Sequence, residues 1–200
     1  MTDVGRVSVS GKRALVERIS TIGSYRGEAG RKVRALKFGG DRRDVVDLGA
    51  GLAALALAAG VVPDVVTWVP TTVARRGRRG VDQARILARA TGRALGGRRR
   101  LHGCGRADRP AVPVRRLLLR APGREQTGRT GVERRRGPEL RARSGVVRAG
   151  SIVVLVDDVV TTGATMDAAV VALQMAGAGV VIPVAVARTP RRASPEVGRR

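Results

Sequence analysis

Short apolar runs alternate with amphipathic stretches along much of this chain. Runs that lack a polar alternation lie at Val65–Val69, Ile152–Val156 and Val180–Val186, and Val114–Leu119 is a further candidate strand. Apolar residues recur at helical spacing over Arg43–Ala59, Val81–Leu95 and Ala164–Ala176, and Tyr25–Leu36 also favours a helix. Strands buried on both faces have continuous apolar sequences, and strands alternating with helices are typical of parallel sheets. The pattern therefore predicts an α/β fold: an open, twisted, mostly parallel sheet with helices on both faces.

The segments between these elements are rich in arginine and glycine. Residues 96–112 show no periodicity, residues 121–145 favour only a short helix near Val132–Arg136, and the tail from Thr189 is rich in proline and arginine. We expect these segments to be mobile or frayed parts of one domain formed by residues 1–200. Pro183 predicts an edge position or a bulge for the last strand, because proline cannot donate a ladder hydrogen bond.

The apolar run at Ile152–Val156 leads directly into an acidic pair and a turn of small residues. Asp157 and Asp158 come first, and Thr161, Thr162, Gly163, Ala164 and Thr165 then open a helix. Ligands of open α/β sheets bind at the carboxyl ends of the strands. Backbone N–H groups and the positive end of the helix dipole favour an anion there. We predict that the turn binds a phosphate, while the two acids accept hydrogen bonds from an attached sugar and stabilise positive charge at its anomeric carbon.

Plainer interpretations exist for this motif. Adjacent aspartates after a strand can simply form a polar turn, although the TTGAT sequence favours the phosphate site. A Walker-type nucleotide loop is not indicated, because no GKS or GKT sequence follows a glycine-spaced loop.

A second strand exit, meaning the residues that directly follow a predicted strand, resembles the segment after Val156 in its small and polar residues. The run at Val65–Val69 is followed by Pro70, Thr71 and Thr72, and then by Arg75 and Arg79. Parallel strands deliver their carboxyl ends to the same sheet edge, so these residues are expected near the acidic pair. Guanidinium groups suit an anion that carries several charges. An ordinary turn with exposed arginines is the alternative.

Several segments resemble a known family. The sequence VVLVDDVVTTGAT, Val153–Thr165, is similar to the phosphoribosyl pyrophosphate (PRPP) signature of type I phosphoribosyltransferases. Further segments resemble the competence protein F (ComF) branch of that family, and they occur in the expected order: Tyr25–Gly27, Arg34–Arg42, Val66–Gly96 and Gln126–Arg136.

The resemblance implies a phosphoribosyltransferase that moves ribosyl-5-phosphate from PRPP to an unidentified nitrogen nucleophile and releases pyrophosphate. It implies catalytic roles for Asp157 and Asp158, and 5-phosphate binding by Thr161–Thr165. Pyrophosphate would meet the second strand exit, through Thr71, Thr72, Arg75 and Arg79. Magnesium would be held through PRPP and water, without direct protein ligands.

The same resemblance implies three further residues that could approach PRPP. Lys37 matches a segment of the family that bears a lysine, and Gln126 and Arg129 lie where relatives have a hood that closes over PRPP and excludes water. The chain has Gly137 and Pro138 where many relatives have an asparagine. That departure concerns hood chemistry and leaves phosphate binding unaffected.

Charge adds a second class of hypothesis. The net charge is +23, and Lys12, Lys32 and Lys37 are the lysines among 39 basic residues. Such a surface attracts nucleic acid without sequence preference. The alternative function is therefore a non-catalytic ComF-like protein that supports DNA uptake by binding PRPP or DNA. With Tyr25, Phe38 and Trp68 as its aromatic residues, stacking on single strands is disfavoured.

Other features limit location and chemistry. The longest apolar candidate, Leu48–Val62, is short and broken by glycines, so no membrane span is expected, and the N-terminus lacks the apolar core of a signal peptide. We expect a cytoplasmic protein, with its oligomeric state open. The single cysteine, Cys104, excludes an intramolecular disulfide and a cysteine-rich zinc site, and it lies beside His102 in an arginine-rich loop.

Overall fold

The computed structural model describes residues 19–36, 41–71, 82–101, 111–120 and 140–189. Six strands and four helices lie within these ranges. In chain order they are β1 (Ser20–Ser24), α1 (Glu28–Ala35), α2 (Arg42–Leu57), β2 (Val65–Trp68), α3 (Gln83–Leu101), β3 (Leu118–Arg120), β4 (Leu140–Ala142), β5 (Ile152–Val160), α4 (Ala164–Met175) and β6 (Val180–Arg188).

Four of the strands form one parallel sheet in the order β1-β6-β5-β2. Strand β5 is interior, since Val156 pairs with Trp68 of β2 on one side and with Val184 of β6 on the other. The short strands β3 and β4 form a separate antiparallel pair. The predicted mostly parallel α/β sheet is confirmed, and the interior position of β5 explains why its apolar run shows no alternation.

Two apolar cores cover the two faces of the sheet. Successive residues of a strand point to opposite faces, and β5 divides its side chains accordingly. Val154 and Val156 pack with residues of α1, α2 and α3, whereas Val153 and Leu155 pack with α4 and the β3–β4 pair. Helices therefore lie on both faces, as the sequence predicts. No helix in the described ranges has both the length and the apolar character needed to cross a membrane.

Glycines let neighbouring segments approach α3 closely. A Cβ added at Gly92 would lie 2.7 Å from the carbonyl oxygen of Val112, and one at Gly96 would lie 2.6 Å from the Cα of Ala111. Helix α3 continues past these glycines to Leu101, so the expectation of a loop beginning at residue 96 is wrong. Gly96 serves close packing there and does not end the helix, and the arginines that follow it are good helix formers.

Strand β6 also differs from expectation, because it lies inside the sheet and not at an edge. Pro183 pairs with Leu155 of β5, while the register with β1 begins one residue later, at Val184. The proline therefore lies just before the point at which β1 joins β6. Strands β1 and β4 were not predicted, and β4 falls within the segment expected to be mobile. The short helix expected near Val132–Arg136 lies outside the described residues.

Candidate active site

A cavity of about 330 Å³ opens at the carboxyl ends of β2 and β5. One wall consists of the end of β5 and the turn that enters α4. The facing wall contains Pro70 and Thr71, which follow β2, and Arg120, which ends β3. The two strand exits singled out in the sequence thus meet at one cavity, because β2 and β5 are parallel neighbours.

The acidic pair lies in the first wall. Asp157 and Asp158 line the cavity and are partly buried. An oxygen of Asp157 accepts a hydrogen bond from the backbone N–H of Asp158 at 2.9 Å, and an oxygen of Asp158 accepts one from the N–H of Val159 at 2.8 Å. These bonds fix the side chains against their own backbone, so that each carboxylate retains acceptor capacity toward a ligand.

Burial raises the pKa of Asp157 well above its ordinary value, and the adjacent charge of Asp158 raises it further. The charge of Asp82 acts in the same direction. A buried carboxylate beside a like charge holds its proton strongly until a ligand supplies hydrogen-bond donors or a cation. The acidic pair is therefore suited to a ligand that brings hydroxyl groups and a metal ion.

The turn after β5 completes the first wall of the cavity. Gly163 precedes α4 with φ +87° and ψ −16°, a left-handed conformation that favours glycine, and as the N-cap residue it has no side chain that could accept from the first turn. Thr161, Gly163 and Thr165 line the cavity. Thr162 is exposed, and its hydroxyl accepts a hydrogen bond of 3.4 Å from the N–H of Ala164. The N-terminus of α4 consequently opens toward the cavity, an arrangement that favours an anion.

The facing wall is held by a carboxylate that the sequence analysis missed. Asp82, directly before α3, accepts hydrogen bonds from the indole N–H of Trp68 and the hydroxyl of Thr71, both at 3.1 Å. Arg120 was missed as well: its guanidinium lines the cavity and donates to the carbonyl of Pro70 at 3.1 Å. An aspartate before a helix is an ordinary capping signal, and an arginine after an apolar run resembles a surface residue. Neither signal indicates a binding site.

Several predicted site residues cannot be placed in this geometry. Those that lie outside the described residues are Lys37, Thr72, Arg75, Arg79, Gln126 and Arg129. Of the predicted pyrophosphate residues, Thr71 is the one within the described ranges, and it lines the cavity.

The acidic pair suits a magnesium ion that is held mainly by the ligand and by water. Within the described ranges, no group of three or more His, Cys, Asp or Glu side chains is arranged to hold a metal. Magnesium commonly binds through one or two carboxylates together with water and substrate phosphates. Asp157 and Asp158 lie beside the anion site, where they can position such an ion through water and the oxygens of the ligand.

Comparison with known proteins gives a family match. Residues 79–198, more than half of the chain, match the family described as "Phosphoribosyl transferase domain". No curated protein matches the sequence.

Two solved structures are similar. One is described as the allosteric regulatory enzyme of purine biosynthesis: it is 25% identical with a TM-score of 0.41, over 70% of this chain and 25% of that one. This chain thus spans about a quarter of that protein's length. The other is a purine phosphoribosyltransferase from Pyrococcus horikoshii Ot3, 18% identical with a TM-score of 0.39, over 78% of this chain and 94% of that one.

Proposed function

The chain belongs to the phosphoribosyl transferase domain family, and on this premise we propose that it transfers ribosyl-5-phosphate from PRPP to a nitrogen nucleophile and releases pyrophosphate. The observation that carries the proposal is the cavity in which an acidic pair lies in the same wall as the N-terminus of α4. A sugar phosphate needs hydroxyl acceptors next to an anion site, and this cavity offers both.

The ribose 5-phosphate half of PRPP would occupy the wall formed by β5 and α4. The 5-phosphate accepts hydrogen bonds from backbone N–H groups and threonine hydroxyls of residues 161–165, and the helix dipole favours its charge. Asp157 and Asp158 accept hydrogen bonds from the ribose hydroxyls. The order of the residues along the chain matches the order of the groups along the sugar phosphate.

The pyrophosphate half would face the exit of β2. Thr71 lines that wall, and Thr72, Arg75 and Arg79 follow it in the sequence. Arg120 adds a guanidinium from β3, suited to a phosphate oxygen. Lys37, Gln126 and Arg129 are proposed to approach PRPP from segments outside the described residues.

The chemistry is a substitution at the anomeric carbon. The bond from that carbon to the pyrophosphate oxygen breaks, a bond to the acceptor nitrogen forms, and the nitrogen loses a proton. Positive charge on the sugar ring is stabilised by Asp157 and Asp158, and the leaving group by guanidinium groups. Magnesium, bound through PRPP and water, would neutralise charge on the pyrophosphate.

Calorimetric titration with PRPP and magnesium tests the proposal. Replacing Asp157 and Asp158 together by Ala should abolish binding, because both ribose acceptors are lost. Asp47→Ala is a matched control, since Asp47 is an exposed aspartate of α2 that contacts Lys32. Retained affinity in the double variant would contradict the assignment. Screening purines, pyrimidines and ammonia for PRPP-dependent pyrophosphate release would then identify the acceptor.

The net charge of +23 supports a second candidate, a ComF-like protein that binds DNA in support of its uptake. A DNA titration at several salt concentrations, with and without PRPP, separates the two functions. Binding that weakens steeply with salt, without pyrophosphate release for any acceptor, favours this candidate. Pyrophosphate release with negligible DNA binding excludes it.

A further inference from the structure

Asp82 connects the start of α3 to the exit of β2. One carboxylate oxygen accepts from the indole Nε1 of Trp68 at 3.1 Å, and the other accepts from the hydroxyl of Thr71 at 3.1 Å. The second oxygen also accepts from the backbone N–H of Arg85, at 3.4 Å. The side chain is partly buried, so solvent competes only in part for these bonds.

Helix capping alone does not account for these contacts. A cap needs one acceptor for a free N–H of the first turn, and the bond to Arg85 supplies it. The two shorter bonds run instead to residues 11 and 14 positions away, at the end of β2. Bonds to a charged acceptor are stronger than those between neutral groups, so they hold the strand exit more firmly than a cap requires.

One of the residues held in this way, Thr71, lies in the wall that faces the acidic pair. Thr71 and Pro70 line the cavity, and the carbonyl of Pro70 accepts from Arg120, which lines it too. The indole of Trp68 is held from two sides, by its bond to Asp82 and by the guanidinium of Arg85 at 5.9 Å from the ring centroid. Asp82 is therefore bonded to Thr71 in this wall and to Trp68 at the end of β2.

We propose that Asp82 is a positioning residue for the pyrophosphate wall of the PRPP site, acting through Thr71 and Trp68 and not by touching the ligand. The inference rests on the proposed function. It assigns separate supports to the two halves of the site, since the acids and the phosphate turn are held by β5 and α4. Loss of Asp82 should therefore weaken binding of the pyrophosphate half and spare the other.

Three ligands separate this role from a general loss of structure. The dissociation constants of PRPP, inorganic pyrophosphate and ribose 5-phosphate would be measured by calorimetry with magnesium, for the native protein and for Asp82→Ala. We expect the constants for PRPP and pyrophosphate to rise about tenfold, because the wall proposed to bind them is no longer held by hydrogen bonds to a charged group. The constant for ribose 5-phosphate should not rise by more than about twofold, because its predicted contacts do not involve Asp82. Loss of the Asp82 charge lowers the pKa of Asp157, which favours the charged acceptor for the ribose.

Two further variants report on the mechanism. In Asp82→Asn the amide oxygen can accept from Trp68 while the amide nitrogen donates to the hydroxyl of Thr71, so most of the PRPP affinity should return. Trp68→Phe removes one donor and retains an aromatic ring, and it should give a smaller loss confined to the same two ligands. Thermal unfolding of each variant verifies that it is folded. If Asp82→Ala does not fold, Trp68→Phe and Asp82→Asn decide the question by the same ligand pattern.

Each outcome has a distinct meaning. Equal weakening of all three ligands, or unchanged affinity for PRPP in Asp82→Ala, overturns the positioning role and leaves the proposed function intact. Failure of Asp82→Asn to recover affinity contradicts the hydrogen-bond mechanism. A native protein that binds neither PRPP nor ribose 5-phosphate overturns the proposed function itself, together with the role of Asp82.

Discussion

Replacing Asp157 by Asn should stabilise the ligand-free protein while weakening its binding of PRPP. Burial and the charge of Asp158 raise the pKa of Asp157 above its ordinary value of 3.8, so the folded protein holds this proton more tightly than the unfolded chain does. The stability contribution of a group with a raised pKa is fully present below the unfolded pKa and is lost as the pH rises through the folded pKa. An asparagine is neutral at every pH and avoids that loss. Its oxygen can still accept from the N–H of Asp158.

The size of the effect follows from proton linkage. Between the unfolded and folded pKa values, the variant gains stability over the native protein by about 1.4 kcal/mol per pH unit, and the difference is constant above the folded pKa. A difference of about 1.4 kcal/mol corresponds to a rise in Tm of about 3 to 6 °C for a chain of this size. Binding should change in the opposite direction. Loss of a charged acceptor for a ribose hydroxyl should weaken PRPP binding by about ten- to a hundredfold.

Thermal unfolding across a pH series and calorimetry with PRPP measure the two effects. The Tm difference between Asp157→Asn and the native protein should be smallest at the acidic end of the series and should grow with pH. Asp47→Asn is the matched control: Asp47 is 66% exposed, so the same chemical change should leave Tm and PRPP affinity close to native. A Tm difference that is negative, or that does not grow with pH, refutes the reasoning.

Three further substitutions test the surroundings of the site. Gly163→Ala should lower the free energy of unfolding by about 1 kcal/mol, because the position has φ +87°. The added Cβ would lie 3.4 Å from its nearest atom, so the cost is conformational and not a clash. An unchanged Tm contradicts this argument. Leu173→Ala should lower the free energy of unfolding in urea by about 2–5 kcal/mol, because Leu173 is fully buried in the core between α4 and the sheet; a loss below about 1 kcal/mol means that the core closes around the cavity. Thr67→Val should lower the free energy of unfolding by about 1–3 kcal/mol in the same assay, because the buried hydroxyl of Thr67 accepts from the backbone N–H of Leu117 at 3.2 Å. An unchanged free energy indicates that this N–H finds another acceptor.

The parts of the fold that the sequence predicts are those with a strong local pattern. Strand β5 and helices α2 and α4 lie within a few residues of the positions expected from their apolar runs and helical spacing. Strand β1, with the sequence STIGS, has no apolar run and forms by pairing with β6. Strand β4 is three residues long and depends on β3. Elements that exist because of a distant partner leave little trace in their own sequence.

The residues of the candidate site also fall into those that a local sequence pattern predicts and those that distant contacts bring to the cavity. Asp157, Asp158 and the turn that follows are contiguous, so one stretch of sequence identifies them together. Asp82 and Arg120 reach the cavity wall through contacts with residues 11 and 50 positions away, and the spacing of those contacts is set by the fold. Their sequence neighbourhoods indicate a helix cap and a surface arginine. In the fold, Asp82 accepts from Thr71 and Arg120 donates to Pro70, so both meet the chain that follows β2.

The interior position of β5 has a consequence for the dynamics of the two walls. A strand bonded on both sides and covered on both faces opens only when the domain unfolds, so its amide protons should exchange with deuterium more slowly than most. The opposite wall is anchored by a few side-chain bonds, and its amides should exchange through smaller, local openings. A ligand bridging the walls would slow exchange mainly at Thr71 and its neighbours, so the entropic cost of binding would fall on one side of the cavity.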